Sequence, residues 1–279
     1  MTQKLTRNNI LHKTYKELSI QISLSGLSFC IYNTIGNTVE ELQSVTFATR
    51  NNSPESLLEE VKKIINSTEI LKQNFDTLKV IYLNNLSAFV PDAVFNEELL
   101  AEYLKYNIKI LPNDFITYDK IEGKELVNVY IPFVNINNFF LDWFGEFEYE
   151  HIATVLVNKL LNISKASEGS KVFIHLTNTN EFQLIVINQK KLILYNSFNY
   201  NTPEDFIYYV LFVFEQLELD TENIPAILIA NTKDDHPLYK ILYTYIRFVD
   251  IYSEQALFNK YINLTKEEVL ENFALINMQ

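Results

Sequence analysis

One order of elements, read from the spacing of apolar residues, occurs twice in this chain. In the first half, period-two alternation gives strands at 18–25, 27–33 and 38–48, with turns at Gly26 and at 34–37. The segment "SPESLLEEVKKIINS" then reads as a helix. Ser53 is its N-cap, Pro54 its first residue, and Leu57, Leu58, Val61, Ile64 and Ile65 form one apolar stripe. A buried strand follows at 78–84. In the second half, strands at 171–176 and 181–187 and a third in "KKLILYNSF" precede "NTPEDFIYYVLFVFEQLEL". There Thr202 caps, Pro203 opens the helix and Asp205 completes a capping-box arrangement; a strand at 225–230 closes the unit. "NSPES" at 52–56 and "NTPED" at 201–205 hold the same place in the two units. An offset of about 150 residues is too long for a solenoid and implies two related subdomains.

The region between the units is less regular. An amphipathic helix is expected over 96–106, strands over 115–121 and 124–131 with Gly123 at their turn, and a helix over 151–163. The small polar connector 164–170 separates a first subdomain, 8–163, from a second, 171–275. "FFLDWFGEFEY" concentrates aromatic rings. Phe139, Phe140, Trp143, Phe144 and Phe147 form a candidate protein-partner patch if exposed, and core beneath the first subdomain if not.

Composition limits the chemistry. Phe and Tyr number 20 and 17, which favours strands, whereas Gly numbers only 5, and loops that wrap phosphates or dinucleotides depend on glycine. The net charge of −12, with no Lys/Arg cluster, disfavours nucleic acid as a partner. The single cysteine, Cys30, lies in an apolar strand and reads as a small buried hydrophobe, in keeping with a reducing compartment. The polar first residues have no apolar centre of the signal-peptide kind, and the aromatic run 206–214 is far shorter than the ~20 residues that span a bilayer. A cytoplasmic location without an integral membrane segment is expected. His12, His151 and His236 show no metal-ligand spacing with one another or with Cys30, so no metal site is expected.

Three phrases, "LSIQISLSGLSFCIYN", "FVPDAVF" followed by "LLAEYLKYN", and "LYNSFNYNTPEDFIYYVLFVFEQLELD", carry a resemblance. Together with the duplicated element order, they resemble an uncharacterised Bacteroidetes family of unknown function with an actin-like ATPase fold, distantly similar to actin-like proteins of pilus assembly and cell division. The fold this implies is α/β, a duplicated ribonuclease H-like, actin-like ATPase architecture of two subdomains, each a mixed sheet flanked by helices. In active actin-like ATPases the first hairpin of each unit carries an acid followed closely by glycine. The acid manages metal and water, and the turn amides hold phosphate.

On that resemblance, Ser23-Leu24-Ser25-Gly26 and His175-Leu176-Thr177-Asn178 take the two motif positions, and neither contains a carboxylate. Ser25 and Thr177 stand where glycine is expected, and Ala230-Asn231 replaces the later glycine pair. The residues left to bind an anion are Ser23, Ser25, Gly26, Ser28, His175, Thr177 and Asn178. His175 is the one catalytic candidate, either a base at a remodelled site or a satisfied buried histidine. The expectation is a degenerate site in a non-catalytic interaction or scaffold protein, with ATP and Mg disfavoured as cofactors and homo-oligomerisation left open. The alternative is an enzyme or switch for nucleotides or phosphometabolites with an altered cleft.

Overall fold

A computed structural model describes residues 13–48, 53–164, 169–177, 180–261 and 263–278. The first unit opens with β1 (Lys16–Ser23), β2 (Gly26–Asn33) and β3 (Thr38–Thr46), then α1 (Pro54–Ser67) and β4 (Thr77–Tyr82). Ser53 caps α1 by accepting from the Ser56 N–H, and Leu57, Val61, Ile64 and Ile65 are buried beneath it, as their spacing requires. An insertion follows: β5 (Ser87–Pro91), α2 (Leu100–Leu104), β6 (Thr117–Ile121), β7 (Leu126–Tyr130) and α3 (Val134–Phe144). The unit ends with β8 (Glu148–His151) and α4 (Ile152–Ile163).

The second unit repeats the plan with β9 (Ser170–Leu176), β10 (Glu181–Asn188), β11 (Lys191–Asn199), α5 (Pro203–Gln216), β12 (Ala226–Ile229), α6 (Pro237–Tyr245) and β13 (Val249–Ile251). Thr202 and Asp205 form the reciprocal capping box at α5. The chain finishes with α7 (Gln255–Lys260), α8 (Lys266–Glu271) and α9 (Phe273–Asn277).

The two five-stranded sheets have matching orders, β3-β2-β1-β4-β8 and β11-β10-β9-β12-β13, so the duplication holds strand for strand. In each, the first three strands form an antiparallel meander and the last two run parallel to the first. The insertion supplies a separate sheet, β5-β7-β6. One core lies between the first sheet and α1 and α3, a second between the second sheet and α5 and α6. A third lies between the two sheets and contains α4 with residues of α7, α8 and α9, so the C-terminal helices join the units.

Several elements differ from expectation. The helix over 96–106 is a 3-10 turn at Glu97–Leu99 followed by α2, because Leu99 departs from helical geometry with φ −113 and ψ 21. Strands β5, β8 and β13 and helix α3 are additions, and β8 and β13, with four and three residues, are too short to show a period. The turn at 188–190 needs left-handed backbone, yet Gln189 and Lys190 adopt φ 46 and 68 without a glycine.

Gly26 does not turn the chain. Leu24 and Ser25 make the reversal, and Gly26 is the first residue of β2, paired with Ser23 and Thr46. A β-carbon there would lie 2.7 Å from the Val45 carbonyl oxygen, so glycine permits close approach of β3.

The five aromatic residues do not make one exposed patch. Phe140 is fully buried, and Phe139, Phe144 and Phe147 are half-buried against the first core. Phe140 meets Phe144 and Phe147 at centroid distances of 5.7 and 6.1 Å, and Trp143 alone is exposed. The physical reason is that α3 turns Ile136 and Phe140 inward onto the sheet, and the neighbouring rings close around them. Cys30 is buried, as its apolar strand requires.

Candidate functional site

The parallel strands of both sheets end at one place. Ser23 closes β1, Leu83 follows β4 and Thr177 follows β9, and all three line a cavity between the units of about 50 Å³. Ser25, Gly26, Ser28 and His175 line it as well, so every described residue of the sequence-derived anion set converges there. Asn178 lies outside the described residues. Gln21, Ser44, Glu271 and Ala274 join the lining and were missed by the sequence reading. Thr177 and Glu271 also border a second cavity of about 160 Å³ beside Ala230 and Asn231. Neither approaches the ~300–1,000 Å³ typical of small-molecule sites, and the smaller has room for a few waters.

Hydrogen bonds pair the roles of residues in the two hairpins differently from the sequence register. The Ser23 hydroxyl donates to the Gly26 carbonyl at 3.2 Å and accepts from the Ser25 N–H at 3.2 Å. The Thr177 hydroxyl donates to the Glu181 carbonyl at 2.8 Å. Each hydroxyl thus closes its own turn, so Thr177 plays in the second hairpin the bonding part that Ser23 plays in the first. One face of β1 presents Ser19, Gln21 and Ser23 while Leu18, Ile20 and Ile22 enter the first core on the other. On a central strand both faces are normally apolar, so this polar alternation was the available signal for Gln21. Ser28 donates to Ser44 at 2.9 Å, and Ser44 to Asn272 at 3.3 Å, which ties the meander to the C-terminal helices. No local signal links Glu271, which accepts from the Asn231 amide at 2.6 Å.

His175 is 3% exposed, and burial pulls its pKa down to about 4, so the ring is neutral at pH 7. Its Nδ1 lies 2.7 Å from Gln183 Oε1, while Gln183 Nε2 donates to Glu181 at 3.3 Å. That amide orientation makes Oε1 an acceptor and assigns the proton to Nδ1. The ring packs against Phe273 at 6.2 Å. Its orienting partner is an amide, not the carboxylate that stabilises an imidazolium during base catalysis.

A second polar cluster joins the inserted sheet to α4. Asp119 on β6 accepts from the His151 N–H at 3.0 Å, the Thr154 hydroxyl at 2.6 Å and the Tyr130 hydroxyl at 2.9 Å. Its carboxylate lies at the α4 N-terminus, where the helix dipole favours negative charge. Burial nevertheless raises its pKa, and it raises Glu150 to about 7, with Asp119 as the next cause. His151 caps α4: its Nδ1 accepts from the Ala153 N–H at 3.1 Å, which leaves Nε2 to donate to the Asn84 carbonyl at 3.1 Å. Burial pulls this imidazole down to about 3. Among the described residues no cluster of three or more His, Cys, Asp or Glu side chains has metal-binding geometry. None of the helices found there is long and apolar enough to cross a membrane.

The comparisons agree with this architecture. A Bacteroides thetaiotaomicron protein of unknown function with an actin-like ATPase fold superposes with a TM-score of 0.72 at 22% identity, covering 85% of this chain and 91% of that one. The PilM-PilN type IV pilus biogenesis complex superposes with a TM-score of 0.58 at 9% identity, covering 93% of this chain and 97% of the other. At these identities the likeness establishes an actin-like ATPase fold. No curated protein matches the sequence. Residues 5–249 match the family described as Protein of unknown function (DUF3822), and the chain belongs to that family.

Proposed function

We propose that this protein is a non-catalytic interaction or scaffold protein of the cytoplasm, built on an actin-like frame that no longer turns over nucleotide. The observation that carries the reading is the cavity of about 50 Å³ between the two hairpins, in which the hydroxyls of Ser23 and Thr177 are spent on their own turns. The carboxylate in the lining, Glu271, comes from α8 and is bonded to Asn231. Occurrence of this fold in a pilus biogenesis complex supports a role within protein assemblies. Thermal unfolding with ATP, ADP, GTP and sugar phosphates, each with and without Mg²⁺, tests it. A ligand specific to the native state at about 100 times its Kd stabilises by roughly 2.7 kcal/mol, a readily measured rise in Tm. The expected result is no rise. Stoichiometric ATP binding with steady hydrolysis, abolished by a bulky residue at Ser25 or Thr177, overturns the reading.

A second reading, binding of a small phosphometabolite, draws on the convergence of Ser23, Ser25, Ser28, His175 and Thr177 on one cavity. A rise in Tm with a sugar phosphate but with no nucleotide selects it.

A further inference from the structure

We infer that the surface formed by the last turn of α6 and the residues leading into β13, 243–248, is a docking surface for a lysine- or arginine-bearing segment of a partner protein. Tyr243, Tyr245 and Phe248 are 62%, 52% and 50% exposed, and with Glu222 and Arg247 they surround an open concavity of about 540 Å³. Exposed aromatics grouped in this way are hot-spot material rather than ordinary surface.

Their outward placement is built into the fold. Ile246 is buried, and its N–H donates to the Leu242 carbonyl at 2.8 Å. The Arg247 N–H donates to the Thr221 carbonyl at 3.0 Å, and the Phe248 carbonyl accepts from Ala226 at 2.9 Å. Tyr243 lies parallel to Tyr239 at 6.2 Å. A backbone anchored on both sides holds the rings ready, so a partner meets little ordering cost. The surface stands at the opening end of β12 and β13, away from the cleft at the closing end of the parallel strands.

Charge selects the occupant. The chain carries −12, and of its acids Glu222 lines the concavity and Asp220 lies exposed in the adjoining loop. Aromatic faces attract cations, and an acid beside them supplies the counter-charge. Glu222 already pairs with a cation in weak form: the Arg247 guanidinium is 3.7 Å from it, with both side chains more than 60% exposed. Such a pair contributes little, so an incoming ammonium or guanidinium that also reaches the rings displaces it.

This surface deepens the reading of the chain as an interaction protein. Nucleotide turnover in the cleft would end that reading and leave the surface to be judged by peptide binding alone. The probes are three short labelled peptides added to the full chain: one alternating lysine and leucine, its glutamate counterpart, and a glycine–serine control. The lysine peptide is expected to bind and to perturb the backbone NMR signals of 243–248. The double variant Tyr243→Ser, Phe248→Ser should weaken it about tenfold. Glu222→Gln should weaken it severalfold, whereas Arg247→Ala, by removing the internal competitor, should tighten it. Thermal unfolding checks that the aromatic variant folds; Glu222→Gln and Arg247→Ala touch no core and keep the test decisive if it does not. Equal binding of the glutamate peptide, no binding, or binding indifferent to all the variants overturns the proposal. Perturbation confined to cleft residues does the same. Concentration-dependent self-association abolished by the aromatic variant would assign the surface to a second copy of this chain and overturn it as well.

Discussion

At the joint under the inserted sheet, one carboxylate accepts from three other groups, whereas at the cleft each hydroxyl closes the turn that carries it. Asp119 gathers the His151 amide and the Thr154 and Tyr130 hydroxyls from β7, β8 and α4. Ser23 and Thr177 bond within their own hairpins. The first cluster fixes elements far apart in sequence, and the second fixes local backbone. In a buried setting, long-range polar contacts are costly to break because every released partner loses its hydrogen bond where water does not replace it. Turn hydroxyls at the rim of a cavity cost less. The joint is therefore a strong point of the tertiary structure, and the cleft holds the same kinds of side chain in a looser arrangement.

The largest expected effect comes from breaking the joint. Asp119→Ala strips the acceptor from three donors and should destabilise the fold by about 3 kcal/mol in denaturant titrations. A loss under 1 kcal/mol would mean that the insertion does not depend on this carboxylate. Next comes backbone approach at the cleft. Gly26→Ala drives a β-carbon against the Val45 carbonyl and should cost about 2 kcal/mol by moving β3. A neutral result would show that the meander yields easily there.

Acid titration compares the two clusters through one histidine from each. His175 at the cleft has its pKa held at about 4 and His151 at the joint at about 3, both by burial, against 6.5 for the ordinary side chain. The unfolded chain takes up these protons first. The stability these neutral rings contribute is therefore complete above pH 6.5 and is lost as pH falls toward 4 and 3. Glu150 works in the opposite sense. Raised to about 7 from 4.5, it keeps its proton longer in the folded chain, so its contribution is complete below 4.5 and is lost as pH rises through 7. In Tm measured from pH 7 to pH 4, His175→Gln should flatten the acid decline and Glu150→Gln should steepen it. Unchanged slopes would mean that these groups are as hydrated in the folded chain as in the unfolded one.

What was legible in the sequence follows the same division between local and long-range. Caps and periods are local, so Ser53, Thr202 and the two meanders could be read directly, and the actin-like fold came from a family resemblance carried by three phrases together with the duplicated order. Whether the two hairpins face one cavity was left open by the sequence, and six of the seven proposed anion-site residues do line one. The bonding part that Thr177 shares with Ser23 was not legible, because it depends on which pair closes each hairpin and not on residue type. Asp119 gave no signal at all: its partners lie 11 to 35 positions away, and a single acid in "TYDKI" looks like any solvated strand residue. The aromatic run 139–149 was ambiguous for a related reason. Ring content is visible in sequence, whereas the face on which α3 buries Phe140 is set by the sheet it meets.

The smallest effect bears most directly on the cleft. Ser23→Ala removes the donor to Gly26 and the acceptor for Ser25, and Thr177→Val removes the donor to Glu181 while keeping the side-chain shape. Each should cost about 1 kcal/mol, the usual net worth of such a bond. Because the two bonds belong to separate hairpins and share no partner, the double variant should cost their sum to within about 0.5 kcal/mol. The same cycle repeated with 10 mM inorganic phosphate, a concentration on the order of weak anion affinities, asks whether the hydroxyls ever act together. Two hydroxyls that grip a common anion become coupled in its presence, since loss of either one removes the binding that the other completes. Additivity with and without phosphate would place both residues in the service of their turns. Coupling that emerges only with phosphate would make the cleft resemble the joint, a site at which side chains from two units answer to one charge.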